Sequence, residues 1–266
     1  MDKDRLFIAQ LEDRFNRADS RYMMVSGDFM DAHQKKLASD FMRQMKIPCA
    51  ADTGDDYPGL RYMFFGGYEG AERTIPVFLP DYCDPAEVVS LLSAVRVTAP
   101  KGGRKLSHRD YLGALMGLGI DREVTGDIIV RDEESPEGPG ADIILLSEMA
   151  DFILLNYSKA GRAELKPEVI PLDEISESNV NLTYRTDTVA SLRLDSVLAS
   201  GFGMSRAKAA EAIRAGLVSV NGMEVIKVDA EVVEKDRITL RGKGRMILEE
   251  VGNRSRKGRI FIRTGI

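Results

Sequence analysis

The chain has little from which to build a metal site or a covalent framework. Two cysteines (Cys49, Cys83) and two histidines (His33, His108) lie scattered singly through 266 residues. A structural zinc site gathers about four such ligands in close clusters, so no metal is expected. Two cysteines are too few for a disulfide framework, and a reducing, cytoplasmic setting is the default expectation. No apolar run approaches the ~18 residues that span a bilayer, and no membrane contact is expected. The opening Met1-Asp2-Lys3-Asp4-Arg5 lacks the basic and then apolar stretch of a secretory signal. Gly66-Gly67 and Gly102-Gly103 lack the G-x-G-x-x-G spacing of a nucleotide-binding loop, and no cofactor is expected.

What is present is an ordinary globular balance, 44% hydrophobic and 30% charged residues, in a length that suits two domains or three small ones. The net charge of −5 hides a segregation: residues 185–266 carry +6 and residues 1–184 carry −11. Such a split marks either chance grouping of solvated charge or an acidic body with a polyanion-binding end.

Apolar spacing predicts a helix around Leu6–Phe15 and a second over Asp31–Met45, stopped by Ile47-Pro48. Tyr22–Gly27 reads as a loop or brief strand, and Arg61–Gly66 and Thr74–Leu79 read as strands. A boundary is placed near residue 84. Beyond it come a strand at Val88–Val97, a helix from His108 to about Leu118 capped by Ser107, and strands at Asp127–Arg131 and Asp142–Leu146 around the acidic loop Asp132–Gly140. A helix at Met149–Lys159 and a strand at Glu164–Pro171 complete a β-α-β-β-α-β order, the ferredoxin-like plait of RNA-recognition motifs. Its candidate central strands contain no aromatics on which bases could stack, so it reads as a spacer or protein-contact module. Leu172–Thr188 is polar and suits a linker. The expected class is therefore α+β in three small domains: an N-terminal domain (1–84), the plait (85–175) and a basic C-terminal domain (185–266).

The C-terminal domain carries the strongest local signals. Asp195 can cap a short helix containing Val197 and Leu198, and Ser205 caps a second, Arg206–Ala215, with Ala209 and Ile213 on its buried side. Val218-Ser219-Val220, the turn Asn221-Gly222 and Glu224–Val228 read as a hairpin, extended by Arg237–Leu240 and Met246–Val251. One local rule is broken. Helix N-termini favour acidic side chains, yet this helix opens Ser205-Arg206-Ala207-Lys208 and has no acid before Glu211. Either these are tolerated solvated cations, or they and the first-turn N–H groups form an anion site suited to phosphate. Basic glycine-rich runs follow at Arg241-Gly242-Lys243-Gly244-Arg245 and Arg254–Arg259, read as phosphate contacts. Arg214 and Lys227 belong to the same basic segment.

The series Arg193-Leu194-Asp195-x-x-Leu198, then Ser205-Arg206-x-x-Ala209-x-x-x-Ile213-x-x-Gly216-x-Val218-x-Val220-Asn221-Gly222, resembles the S4 RNA-binding domain over about 50 residues. That resemblance implies that Arg193, Ser205, Arg206 and Lys208 face structured RNA, and that Asp195 and Asn221-Gly222 are structural. Further motifs extend it: His108–Glu123, then Gly126-Asp127-Ile128, and Gly66-Gly67-Tyr68-x-x-Ala71-Glu72-Arg73. With these, nearly the whole chain resembles the YlmH family of bacterial proteins with a C-terminal S4 domain. The resemblance implies binding to ribosomal RNA of the large ribosomal subunit, a part in rescue of stalled nascent-chain complexes with transfer RNA nearby, and an older link to cell division. A monomer is expected.

The main rival is an RNA-modifying enzyme that uses an S4 domain as its handle. A pseudouridine synthase places its catalytic Asp in Arg-Leu-Asp within a separate domain; here that tripeptide occurs at 193–195, inside the S4 pattern. Methyltransferase and synthetase signatures are missing. His108-Arg109-Asp110 imitates a kinase loop, but Leu115 stands where magnesium chemistry needs Asn. Arg109 with Lys101, Arg104 and Lys105 is either the start of a packed helix or a second RNA patch. A protein-recruiting scaffold built on the acidic front half stays open beside the RNA-binding reading.

Overall fold

The computed structural model describes residues 3–53, 57–175, 184–221, 223–255 and 258–266. The chain divides into two compact units, Met1–Ser178 and Asn179–Ile266. Among the described residues no helix is long and apolar enough to cross a membrane, and Cys49 and Cys83 are free thiols.

The first unit begins with helix α1 (Lys3–Arg21), strand β1 (Val25–Ser26) and helix α2 (Ala32–Gln44). A reciprocal cap starts α2: Asp31 accepts from the Gln34 N–H, and the Gln34 side chain accepts from the Asp31 N–H. Strands β2 (Arg61–Phe65) and β3 (Ile75–Leu79) follow, and the sheet runs β1-β3-β2 with antiparallel pairing. Every residue of β3 is buried, because alternate side chains serve two cores. Phe78 joins Leu11, Phe41 and Met42 under the helices. Ile75, Val77 and Leu79 face the other way.

The plait comprises β4 (Leu92–Thr98), α3 (His108–Gly117), β5 (Thr125–Arg131), β6 (Gly140–Leu146), α4 (Ala150–Asn156), the small hairpin β7 (Lys159–Ala160) and β8 (Ala163–Glu164), and β9 (Lys166–Ile170). Its sheet order β5-β6-β4-β9, antiparallel throughout, is the expected split βαβ arrangement. One face, with Val95, Val97, Ile143 and Leu145, packs on Tyr111, Leu115 and Ile153 of the helices. The other, with Ala94, Ile129, Ile144 and Ile170, shares a core with Phe29 and β3. The segments 1–84 and 85–175 thus bury apolar surface against each other.

Two details differ from expectation. Val88–Leu91 belong to a 3-10 helix, Pro85–Leu91, rather than to the strand. Asp84 accepts from the Ala86 N–H, and the fixed φ of Pro85 suits a first helical position. The expected helix Met149–Lys159 ends at Asn156. The next residue, Tyr157, turns inward, fully buried, and donates to the Tyr111 carbonyl at 2.8 Å.

The two family-like motifs of this unit prove to be one contact. Asp127 accepts from the Tyr68 hydroxyl and from the N–H groups of Glu72 and Arg73, at 2.7–3.1 Å. Arg73 in turn donates to the carbonyls of Thr125, Phe29 and Arg122. Gly66 and Gly126 have no room for a side chain: a Cβ on Gly66 would meet Ala71 at 2.3 Å, and one on Gly126 would meet Phe29 at 2.7 Å.

A charged cluster is buried within the plait. Asp142, wholly buried, pairs with Arg96 at 2.9 Å and lies 3.1 Å from Nε of Arg131. Removing the shared carboxylate strands two buried cations, a change that costs about 3–5 kcal/mol when a buried pair loses one partner. Asp142→Ala should therefore destabilise the chain by that order in urea unfolding, and a loss below about 1 kcal/mol would refute the account.

Candidate nucleic-acid interface

The second unit opens with an edge strand, β10 (Tyr184–Val189), where the sequence suggested the end of a linker. The start of that expected linker is instead a 3-10 turn, Leu172–Glu174, with Leu172 and Ile175 packed in the first unit's core, and residues 176–183 lie outside the described residues. Threonine and valine suit an edge position, and the polar side chains of β10 explain the linker-like reading. Two helices follow, α5 (Leu194–Gly201) and α6 (Arg206–Arg214), then β11 (Val218–Val220), β12 (Met223–Glu224), β13 (Arg237–Leu240), β14 (Gly244–Arg254) and β15 (Ile260–Gly265). The sheet order is β10-β15-β14-β13-β11-β12. Leu194, Val197 and Leu198 of α5 and Ala209 and Ile213 of α6 pack on Val218, Ile238, Met246, Leu248 and Ile262. The basic run Arg254–Arg259 therefore links the paired strands β14 and β15, with Arg256 and Lys257 outside the described residues.

The expected return strand Glu224–Val228 ends at Glu224 because the chain beyond it has another task. The carbonyls of Val228 and Ala230 accept from the N–H groups of Asp195 and Leu194, which satisfies the first turn of α5 from the backbone. Asp195 is thus not a cap, as the sequence suggested. It sits inside α5, 5% exposed, and its carboxylate binds Arg193 at 3.1 Å and Arg206 at 2.6 Å. Burial pushes the Asp195 carboxyl up, but the hydrogen bonds from Arg193 and Arg206 outweigh it and hold it below the ordinary carboxylate range.

Arg193 and Arg206, expected to reach toward RNA, are therefore both engaged in an internal ion pair. Their side chains nonetheless remain 43% and 55% exposed. Two guanidinium groups on one carboxylate leave an excess of one positive charge at fixed positions on the surface. Next to them Ser205, Arg206, Ala207 and Lys208 are all exposed, and the Ser205 hydroxyl accepts from the Lys208 N–H at 3.3 Å. The start of α6 is open to solvent, with no acid in its first turn.

The remaining candidates fall into separate places. Exposed Lys227 precedes the Val228 carbonyl that receives the Asp195 N–H, so it lies beside the Arg193 end. Arg214 is at the far end of α6, and Arg241 and Lys243 lie in the β13–β14 turn, where the Arg241 N–H bonds the Leu217 carbonyl. Arg214 lies six residues beyond Lys208 along α6, a rise of about 9 Å. Arg245, on β14, pairs across with Thr239. In the first unit, Lys101, Arg104, Lys105 and Arg109 are exposed but interleaved with acids: Arg104 reaches Asp110 at 3.4 Å, and the Gly102 N–H donates to Glu133.

Sequence reasoning missed Arg185 and left Arg259 in an undifferentiated basic run. Together with Arg206 they line a cleft of about 480 Å³ between β10 and the α5–α6 elbow. Gly203, with φ +61°, makes room for the Arg185 guanidinium, since a Cβ there would lie 2.8 Å from Nη1. The alternation that directs Arg185 inward was legible only once residues 184–189 were seen to pair with β15.

Two helices packed on a hairpin, with exposed cations at the second helix start, define a C-terminal RNA-binding domain of the S4 class on an α+β body. The S4 domain model matches residues 192–238, and a model described as "Putative RNA-binding domain in YlmH" matches residues 90–174. The latter sets an RNA-binding description against the expectation of a spacer or protein-contact module. A Bacillus subtilis (strain 168) protein, "Ribosome-associated protein quality control protein P2", is 33% identical over 254 residues, covering 96% of this chain and 91% of that protein. The chain belongs to the YlmH family. A solved structure described as "Cell division protein ylmH from Streptococcus pneumoniae" shares the fold at TM-score 0.51 and 21% identity, over 66% of this chain and 96% of that one.

The depressed Asp195 carboxyl contributes stability that is present above its unfolded value, near 4, and lost as pH falls through the lower folded value. Stability should fall on acidification below pH ~4, and Asp195→Asn should reduce that dependence. Identical pH profiles for the two proteins, followed by thermal melting, would contradict the pairing.

Proposed function

We propose that the chain is a non-catalytic, cytoplasmic, monomeric RNA-binding protein that grips structured ribosomal RNA of the large subunit through its second unit. Its role is in ribosome-associated quality control during translation, with transfer RNA close by; the older association with cell division is secondary to it. The observation that carries this reading is the solvent-open start of α6, where Ser205, Arg206 and Lys208 offer a capped helix terminus and two cations with no acid in the first turn. A phosphate accepts hydrogen bonds from such a terminus and is held by its positive end. Arg193 and Arg206, fixed by Asp195, add guanidinium edges whose geometry suits phosphate oxygens. Lys227 extends this set along the α5 side. Arg214, Arg241, Lys243 and Arg245 supply a second group of contacts across the unit. The Bacillus subtilis relative, named for ribosome-associated quality control and aligned over almost the full length, supports the biological setting.

Any RNA contact of the first unit is assigned away from the plait sheet. Both faces of that sheet are covered, one by α3 and α4 and one by Phe29 and β3. Bases cannot stack there as they do on an open recognition sheet. The patch Lys101, Arg104, Lys105 and Arg109 shares its surface with Asp110 and Glu133 and is assigned a minor role.

Lys208→Glu reverses one charge at an exposed position outside the Asp195 ion pair. It should weaken binding of the full-length protein to ribosomal RNA fragments by at least about tenfold at moderate salt. The log–log salt slope should also fall by roughly 0.7–0.9 for a lost phosphate contact. Unchanged affinity and slope in filter binding, with an unchanged melting curve, would overturn the assignment of this surface.

A further inference from the structure

The cleft beside α6 has the makings of a nucleotide subsite rather than a passive groove. Three arginines line it, Arg185, Arg206 and Arg259, against one carboxylate, Asp187. Each arginine is anchored from the side, which keeps it in place without spending all its donors. Arg185 reaches the carbonyls of Ser200 and Gly201 through Nη1. Arg259 is tied to Thr188, through both its hydroxyl and its carbonyl. Arg206 is held by Asp195. Asp187 accepts from the Ser200 hydroxyl at 2.7 Å and from the Thr188 N–H.

An independent observation points to a ligand. Ser196, on α5, is 5% exposed and lines the cleft, and its hydroxyl has no hydrogen-bond partner among the described residues. A buried hydroxyl without a partner costs free energy, and it lines the same cleft as three arginines and a carboxylate. The volume falls in the range of small-molecule sites. Much of the site, including Arg185, Asp187 and Arg259, lies outside residues 192–238, the part matched by the S4 model.

We infer that this cleft seats one unstacked ribonucleotide of the bound RNA, its phosphate on Arg185, Arg206 and Arg259 and its ribose hydroxyls on Ser196 and Asp187. The inference rests on the reading of the second unit as RNA-binding and deepens it. Phosphate contact alone does not separate RNA from DNA, whereas a 2′-hydroxyl is both a donor and an acceptor that DNA lacks. Asp187 supplies an acceptor for it and Ser196 a hydroxyl that can serve either way. The cleft thus gives the second unit its preference for RNA over DNA, while the start of α6 supplies affinity.

The test uses the full-length protein with two fluorescent probes, an RNA hairpin bearing a single-stranded uridine tail and its all-deoxy counterpart. The wild type should prefer the RNA. Arg185→Ala with Arg259→Ala should lower RNA affinity by roughly tenfold and reduce the log–log salt slope by about 0.7 per lost single-strand phosphate contact. Ser196→Ala removes only the hydroxyl; it should leave thermal stability equal or higher and narrow the preference for RNA over DNA. If the folded cleft variants bind both probes as the wild type does while Lys208→Glu binds poorly, the subsite is wrong and the RNA-binding reading stands. If the wild type binds neither probe, the reading itself falls.

Discussion

The carboxylate of Asp195 is the constraint on which the interface depends. A buried acid on α5 draws in Arg193 from just before that helix and Arg206 from the start of α6, so the two helices are referenced to each other through charge as well as packing. The first unit contains the same arrangement in a different setting, with Arg96 and Arg131 on Asp142. There the arginines are buried and the triad fills an interior. In the second unit the arginines are half exposed, and one acid positions two cations that water and a polyanion can still reach. Burial, rather than residue identity, separates a closed triad from one whose cations stay accessible. A flexible arginine would lose about 2 kcal/mol of side-chain entropy on fixing, and the Asp195 pairing incurs part of that loss before any ligand arrives.

Much of this was legible in the sequence, and the misses have physical causes. The plait order, the α5–α6 pair and the buried positions Ala209 and Ile213 followed from periodicity and caps, because those signals are local. The role of Asp195 was not legible. An acid near a helix start reads as a cap, and only the tertiary return of Val228 and Ala230 shows that the backbone already performs that task. Strand β10 was hidden for a related reason. Its composition is that of a polar linker, and only pairing with β15, more than 70 residues later, makes it a strand. The same long-range pairing brings Arg185 and Arg259 to one cleft, so the two missed residues share one cause. The interior triad was also unreadable, since Arg96, Arg131 and Asp142 look like surface charges until the sheet sets them in register.

The plait shows how a fold can be recognised and its use still misread. On an open recognition sheet, exposed aromatics offer stacking area. Here β3 and Phe29 occupy the face that would be open, and the central strands are almost wholly buried. The absence of aromatics in those strands is a consequence of two-sided burial among small and β-branched residues. It therefore argues against stacking on that sheet and says nothing about RNA contact elsewhere on the unit, which is how the match over residues 90–174 is compatible with a closed sheet.

The charge division gives this arrangement a direction. Residues 1–184 carry −11 and residues 185–266 carry +6, so a phosphate-rich surface attracts one part of the chain and repels the other. Screening confines each effect to about 8 Å at physiological ionic strength, which leaves contact to the local pattern and encounter to the broader field. The cations around α6 and the cleft are held by internal acids and carbonyls, and rigid charges steer as well as bind. A uniformly basic protein would adhere to nucleic acid in many orientations; segregated charge with preorganised cations restricts those orientations.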